Sequence, residues 1–149
     1  MRKINEEPIR MWLRNKNCEQ VVERKLTYLR PDPRFVRRYD RRQAQLFVGA
    51  LIRHGKTHPA LLVNKRKIVA GLGHIEGSRK LGAPSFPTID LELLNKHELQ
   101  RWVTTIKNLA KREGWPQEFL AIEFQVLAEM NLGFDLNFGG VELAYTGQV

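Results

Sequence analysis

The chain reads as an α/β domain of the α+β kind: a small mixed sheet with flanking helices and two further helices toward the C-terminus. Three observations point there. Pro59–Val63 and Ile68–Ala70 are short apolar runs on either side of the charged turn Asn64-Lys65-Arg66-Lys67, the pattern of a hairpin. The second run leads directly into Gly71-Leu72-Gly73-His74, a strand, glycine turn and helix start in series. Two helical segments with apolar faces then follow Asn95 and Pro116.

Taken in order, residues 1–20 form an N-terminal appendage and residues 21–149 the domain. In the appendage, Ile9, Trp12 and Leu13 share a helical face, with Asn5 as cap and Pro8 close behind; packing on the main domain or on a partner is the expected role. Val21–Leu29 mixes apolar and polar residues in near-alternation and reads as a strand ending at Arg30-Pro31. Pro31-Asp32-Pro33 makes a loop. Asp40 caps a helix over about 41–54, with Ala44, Phe47, Val48 and Leu51 inward and Gly55 at its end. After the hairpin and the glycine turn comes a short helix with Ile75 and Leu81 inward and Gly82 beyond it. Phe86–Leu91 reads as another strand, irregular or near an edge because of Pro84 and Pro87. Asn95 and Glu98 have capping-box spacing before a helix to about Arg112, with Leu99, Trp102, Val103, Ile106, Leu109 and Ala110 as its stripe. Gly114 stops it. Trp115-Pro116 opens a last helix over about 117–130, with Leu120, Phe124, Leu127 and Ala128 inward. A short strand is expected near Phe134–Leu136.

With 149 residues the chain suits one domain with a real core. Twenty-five Lys and Arg face sixteen Asp and Glu, a net charge of +9, which favours an anionic partner, most simply DNA or RNA. Cys18 is the only cysteine, which excludes an intrachain disulfide. No apolar run approaches a membrane span and the N-terminus lacks a signal-peptide core, so the expected location is the cytoplasm.

Two stretches carry chemistry. Arg34, Arg37, Arg38, Arg41 and Arg42 lie within nine positions, with Phe35 and Tyr39 interleaved. Guanidinium groups bind phosphate and aromatic rings stack on bases, so this run is a candidate nucleic-acid contact. At the glycine turn, backbone N–H groups at a helix start favour an anion. Gly71, Gly73, His74 and Arg79 are its candidate phosphate-binding residues. Glu76, in the first helical turn, either caps N–H groups or positions water or metal; Glu76 and His74 are the candidate catalytic residues of an enzymatic reading, one or the other assisting proton transfer. No metal ligand set is assigned. His54 and His58 are four apart, but Gly55 and Pro59 break the helix that would align them. Asp90 and Glu92 are read as a solvated strand edge in preference to an ion site.

The order of elements, with Leu29–Asp40, Ile52-Arg53-His54-Gly55, His58–Val63 and Ile68–Gly82, resembles the ParB-like domain of the ParB/sulfiredoxin superfamily from about Val22 to Asp135. Gly114-Trp115 and Phe134-Asp135-Leu136 follow in the expected order. The chain is most similar to the short bacterial and phage proteins described as ParB-like nuclease domains. The resemblance implies a compact ParB/sulfiredoxin-like fold that binds nucleotide or nucleic-acid phosphates around the glycine turn. It implies DNA and a nucleotide, CTP or ATP with Mg2+, as ligands, and leaves a homodimer open. His74 stands where the family usually has a phosphate-binding arginine, Gly77 where alanine is common, and Phe35-Val36 in place of a frequent Asn-Pro. Ile106-Lys107-Asn108 replaces a polar Asp-Asn-Lys segment. Leu72 and Gly73 leave the turn without the cysteine of sulfiredoxin chemistry. Three functions follow as expectations: a DNA-binding module, a nuclease or nucleotide hydrolase using the same cradle, or a catalytically degenerate protein-interaction domain.

Overall fold

The computed structural model describes residues 4–14, 20–32 and 40–130. The elements are α1 (Glu7–Arg14), β1 (Val21–Lys25), β2 (Arg30–Pro31), α2 (Arg41–His54), β3 (Ala60–Val63), β4 (Lys67–Ala70), α3 (Leu72–Lys80), β5 (Ser85–Asp90), α4 (Lys96–Glu113) and α5 (Gln117–Glu129), with a single 3-10 turn at Leu91–Leu93 between β5 and α4. Cys18, Arg34, Arg37, Arg38 and the expected strand near Phe134 lie outside the described residues.

Five strands make one mixed sheet in the order β1-β5-β3-β4-β2. β1 is antiparallel to β5 and β3 to β4, while the β3–β5 and β4–β2 pairs are parallel. The mixed α/β class is therefore as expected. Alternation along the strands divides the apolar side chains between two faces. Leu61, Val69 and Ile89 pack with Leu99, Trp102 and Ile106 of α4 and Phe124 of α5. Leu62, Ile68 and Phe86 pack with Ile75 of α3. A third cluster of Phe47, Ala50 and Phe119 joins α2 to α5.

The helix signals in the sequence correspond to real caps. Asp40 Oδ1 accepts the Gln43 N–H at 2.8 Å, and the Gln43 side chain accepts the Asp40 N–H at 2.9 Å. Asn95 and Glu98 make the same reciprocal pair at 2.8 and 2.9 Å. Each box satisfies two N–H groups that a helix start would otherwise leave unpaired.

One reading is corrected and two are made specific. Val21–Leu29 is not one strand: β1 ends at Lys25, and the Tyr28 N–H donates to the Lys25 carbonyl at 2.9 Å in a turn. Leu26 and Leu29 both enter the core beside Ile75, and residues three apart on a straight strand would point to opposite faces. β5 is an interior strand, one place in from the edge strand β1. Pro87 sits opposite Glu23 but ahead of the Thr88–Asp90 stretch that pairs with β3, so its missing N–H breaks no bond to β3. Residues 4–10 are docked on the domain: Ile4 and Ile9 are buried, the Asn5 carbonyl accepts the Lys56 N–H at 2.9 Å, and the buried Lys56 Nζ lies 3.4 Å from Glu6. Among the described residues, no helix is long and apolar enough to cross a membrane.

α3 lies close to α2 because two of its residues have no side chain. A Cβ on Gly73 would overlap the Phe47 ring, and one on Gly77 would lie 2.8 Å from Leu51 Cδ1. Gly73→Ala is expected to lower stability by about 1–3 kcal/mol, because the stacked Phe47 ring has nowhere to move. Gly77→Ala is expected to be nearly neutral: the end of Leu51 can turn aside, and alanine gains about 1 kcal/mol of helix propensity. Urea unfolding of the two variants measures the contrast.

Candidate functional site

The N-terminal end of β3 and the C-terminal end of β4 lie side by side, and α5 crosses over them. Three polar side chains meet there. His58 comes from the loop that follows α2, His74 from the first turn of α3, and Glu123 from the inward face of α5. Gly71 lets β4 turn into α3: its φ is +94°, and a Cβ at this position would meet Ala60 Cβ at 2.9 Å. Glu123 is three residues after Leu120 and four before Leu127, so the helical period carries it into the core with them.

The three are fully enclosed, none more than 2% exposed. Glu123 Oε1 accepts the Gly73 N–H at 3.0 Å. Glu123 Oε2 lies 3.5 Å from His74 Nδ1 and 4.0 Å from His58 Nε2. The other His58 nitrogen, Nδ1, is 2.8 Å from Thr57 Oγ1. The imidazole rings meet edge to face, centroids 4.7 Å apart, and Trp115 lies against both at 5.1 and 5.9 Å. Phe47 closes the His74 side at 5.3 Å, and Trp102 the His58 side at 6.1 Å.

Burial sets the charge states. It drives the His58 imidazole down to about 4, against the opposing pull of Glu123. Burial pushes the Glu123 carboxyl up, but the two imidazoles outweigh it and hold the group down to about 2. At neutral pH the cluster therefore contains an ionised carboxylate and a neutral His58.

This arrangement changes the reading of the glycine turn. The Gly73 N–H, expected to face an incoming phosphate, is taken by a carboxylate of the same chain, and His74 points inward. Glu76 Oε1 accepts from Arg79 Nε and Nη2 at 3.3 and 3.2 Å, while Arg79 Nη1 donates to the Leu26 carbonyl at 2.6 Å. Arg79 thus ties α3 to the turn after β1 instead of reaching out to a ligand. Asp90 and Glu92 are separate: Asp90 faces Arg24 at 3.8 Å, and Glu92 accepts the Asn64 N–H at 3.0 Å. His54 lies 3.7 Å from Glu113, and His58 joins the buried cluster instead. Arg41 is exposed at the start of α2. Arg42 lies beside it but pairs with Glu118 at 2.7 Å, which holds that carboxyl below its usual range.

A basic edge emerges where the sequence shows only a charged turn. β2 is the last strand of the sheet, and Arg30 lies in register with Lys67 of β4. Asn64 and Lys65 adopt left-handed φ values of 53° and 59° to close the hairpin. This brings Lys65, Arg66 and Lys67 beside Arg30. Arg66 Nε donates to the Tyr28 carbonyl at 2.8 Å, and its guanidinium lies 5.0 Å from the centre of the Tyr28 ring, which is 43% exposed. Among the described residues, none of Arg30, Lys65, Arg66 and Lys67 is paired with a carboxylate. The arginine-rich segment 34–42 follows β2 directly in the chain. The available signal was the adjacency of a Lys-Arg-Lys turn to an edge strand, which only strand order reveals.

The molecule is thus a mixed α/β domain with a closed polar cluster at one end of β4 and a basic edge at the other. No family model and no curated protein matches the chain. Among solved structures it is similar to the C-terminally truncated chromosome-partitioning protein ParB from Caulobacter crescentus, in complex with CTP-gamma-S. The similarity covers 75% of this chain and 83% of that one, at 16% identity and a TM-score of 0.42.

The buried cluster predicts acid sensitivity. The folded state holds His58 neutral down to about pH 4, whereas an unfolded chain protonates it near 6.5. The unfolded state therefore binds the extra proton first, and stability present above about pH 6.5 is lost as pH falls toward 4. In the presence of EDTA, histidine NMR should show an imidazole that stays neutral to about pH 4, and thermal stability should decline over the same interval. Titration of every histidine near 6.5 would contradict this.

Proposed function

We propose that the protein binds nucleic acid through the basic edge, with the arginine-rich segment as its continuation. The observation that carries this reading is the group Arg30, Lys65, Arg66 and Lys67, unpaired with any described carboxylate, around an exposed tyrosine ring. Cationic side chains without carboxylate partners neutralise phosphates at no cost in broken ion pairs, and release of counterions drives the association. Tyr28 presents a flat apolar face on which a base can stack, and Arg66 braces the ring from one side. Arg41 adds charge at the start of α2, where the segment ends. Arg34, Arg37 and Arg38 belong to the same segment of the sequence. The glycine turn contributes through the fold, since its inner N–H is engaged by Glu123.

The test is binding of a short labelled DNA duplex and its single strand at several salt concentrations. Affinity should fall steeply as salt rises. The double charge reversal Lys65→Glu and Arg66→Glu should weaken duplex binding and reduce the slope of log K against log salt by about 1 for each phosphate that is no longer neutralised. Tyr28→Ala should cost about 1–3 kcal/mol on the single strand and less on the duplex. Unchanged affinity and slope after the charge reversal would refute the assignment. CTP and ATP, with and without Mg2+, belong in the same titration; magnesium-dependent binding of either would restore a nucleotide role to the turn.

A further inference from the structure

We propose that His58, His74 and Glu123 are the ligands of one transition-metal ion of the zinc class, which locks α5 onto the end of the sheet. The ligand atoms are His58 Nε2, His74 Nδ1 and Glu123 Oε2. All three lie within 4.8 Å of one another, and each is buried without a hydrogen-bond partner. Three polar atoms that converge in a dry core and satisfy nothing there are costly. A shared cation removes that cost for all three at once.

The donor set and its supports fit this ion. Two imidazoles and a carboxylate suit zinc and its neighbours, whereas magnesium and calcium favour oxygen-only shells. Zinc–ligand bonds of about 2.0–2.1 Å place tetrahedral donors roughly 3.4 Å apart. The separations of 3.5 and 4.0 Å from Glu123 Oε2, and of at most 4.8 Å within the whole set, must close toward that spacing, by roughly 0.1 Å at the shortest pair and up to about 1.4 Å at the longest. Two ligands are already oriented by their second atoms. Thr57 Oγ1 holds His58 Nδ1, which leaves Nε2 to face the cluster, and the Gly73 N–H holds Glu123 Oε1, which leaves Oε2. Such outer partners fix the tautomer and rotamer of metal ligands. The ion would meet one carboxylate and two imidazole nitrogens, so a divalent cation leaves a local excess of +1 instead of a bare buried anion. Trp115, Trp102 and Phe47 enclose the cluster. Three protein ligands leave a fourth coordination position, which a bound water would complete within this enclosure.

The experiment uses the full chain, stripped with chelator and titrated with Co2+ and then Zn2+. The expected results are one ion per chain, a visible Co2+ absorption band that Zn2+ abolishes, and a Tm rise of roughly 5–10 °C at metal concentrations 100-fold above Kd. Glu123→Gln retains an acceptor for the Gly73 N–H but removes the charge, and should weaken Co2+ binding by about 10–100-fold or more. The double variant His54→Gln and His97→Gln removes the two other histidines of the chain and should bind as the original does. Wild-type protein that takes up no stoichiometric ion and shows no Tm shift would overturn the proposal, as would an absence of binding in the His54/His97 variant. Should Glu123→Gln fail to fold, His74→Gln in the His54/His97 background takes its place: loss of the ion assigns the site, and retention overturns the proposal.

Discussion

The contact on which the structure most depends is the hydrogen bond from the Gly73 N–H to the Glu123 carboxylate. A carboxylate in the core is tolerated only where donors and positive potential meet it. The first turn of α3 supplies both, because its N–H groups lack intrahelical acceptors. The bond also fixes the distance between α5 and the end of β4. Gly73 makes the geometry achievable: with no Cβ, it lets the Phe47 ring close from α2 while its N–H faces α5. Phe47 in turn stacks on Phe119 with ring centroids 3.9 Å apart. Three helices are thereby set against one another around a single residue.

Charge is segregated along β4. Its C-terminal end leads into a closed cluster that contains an ionised acid, and its N-terminal end begins at Lys67 on an edge of basic side chains. A helix N-terminus that already holds an internal anion is not free to hold an external one. The inner N–H of the turn is engaged by Glu123, and the basic side chains lie at the opposite end of the strand. One end holds α5 against the sheet, and the other exposes basic side chains at the sheet edge.

Much of the fold was legible in the sequence because its signals were local. The cap at Asp40, the capping box at Asn95, the glycines after α2 and α4, and the apolar stripe of α4 each depend on residues a few positions apart. The differences arose where a local pattern met a tertiary demand. Leu26 and Leu29 leave the strand alternation to reach Ile75, and Pro87 occupies an interior strand because its neighbour β3 starts one residue later. Glu123 was visible as a carboxylate interrupting the stripe of Leu120, Phe124 and Leu127, but its significance depends on what it faces.

By itself the sequence determined the class of fold, the positions of its helices and hairpin, and a strong positive charge, since periodicity, caps and composition are written in neighbouring residues. Only the tertiary structure decided the order of the strands, the union of His58, His74 and Glu123, and the gathering of Arg30 with Lys65–Lys67. His58 and Glu123 are separated by 65 positions in the chain. Such groups meet only when a sheet and three helices close on one another, and the same closure fixes which charges are buried and which face solvent.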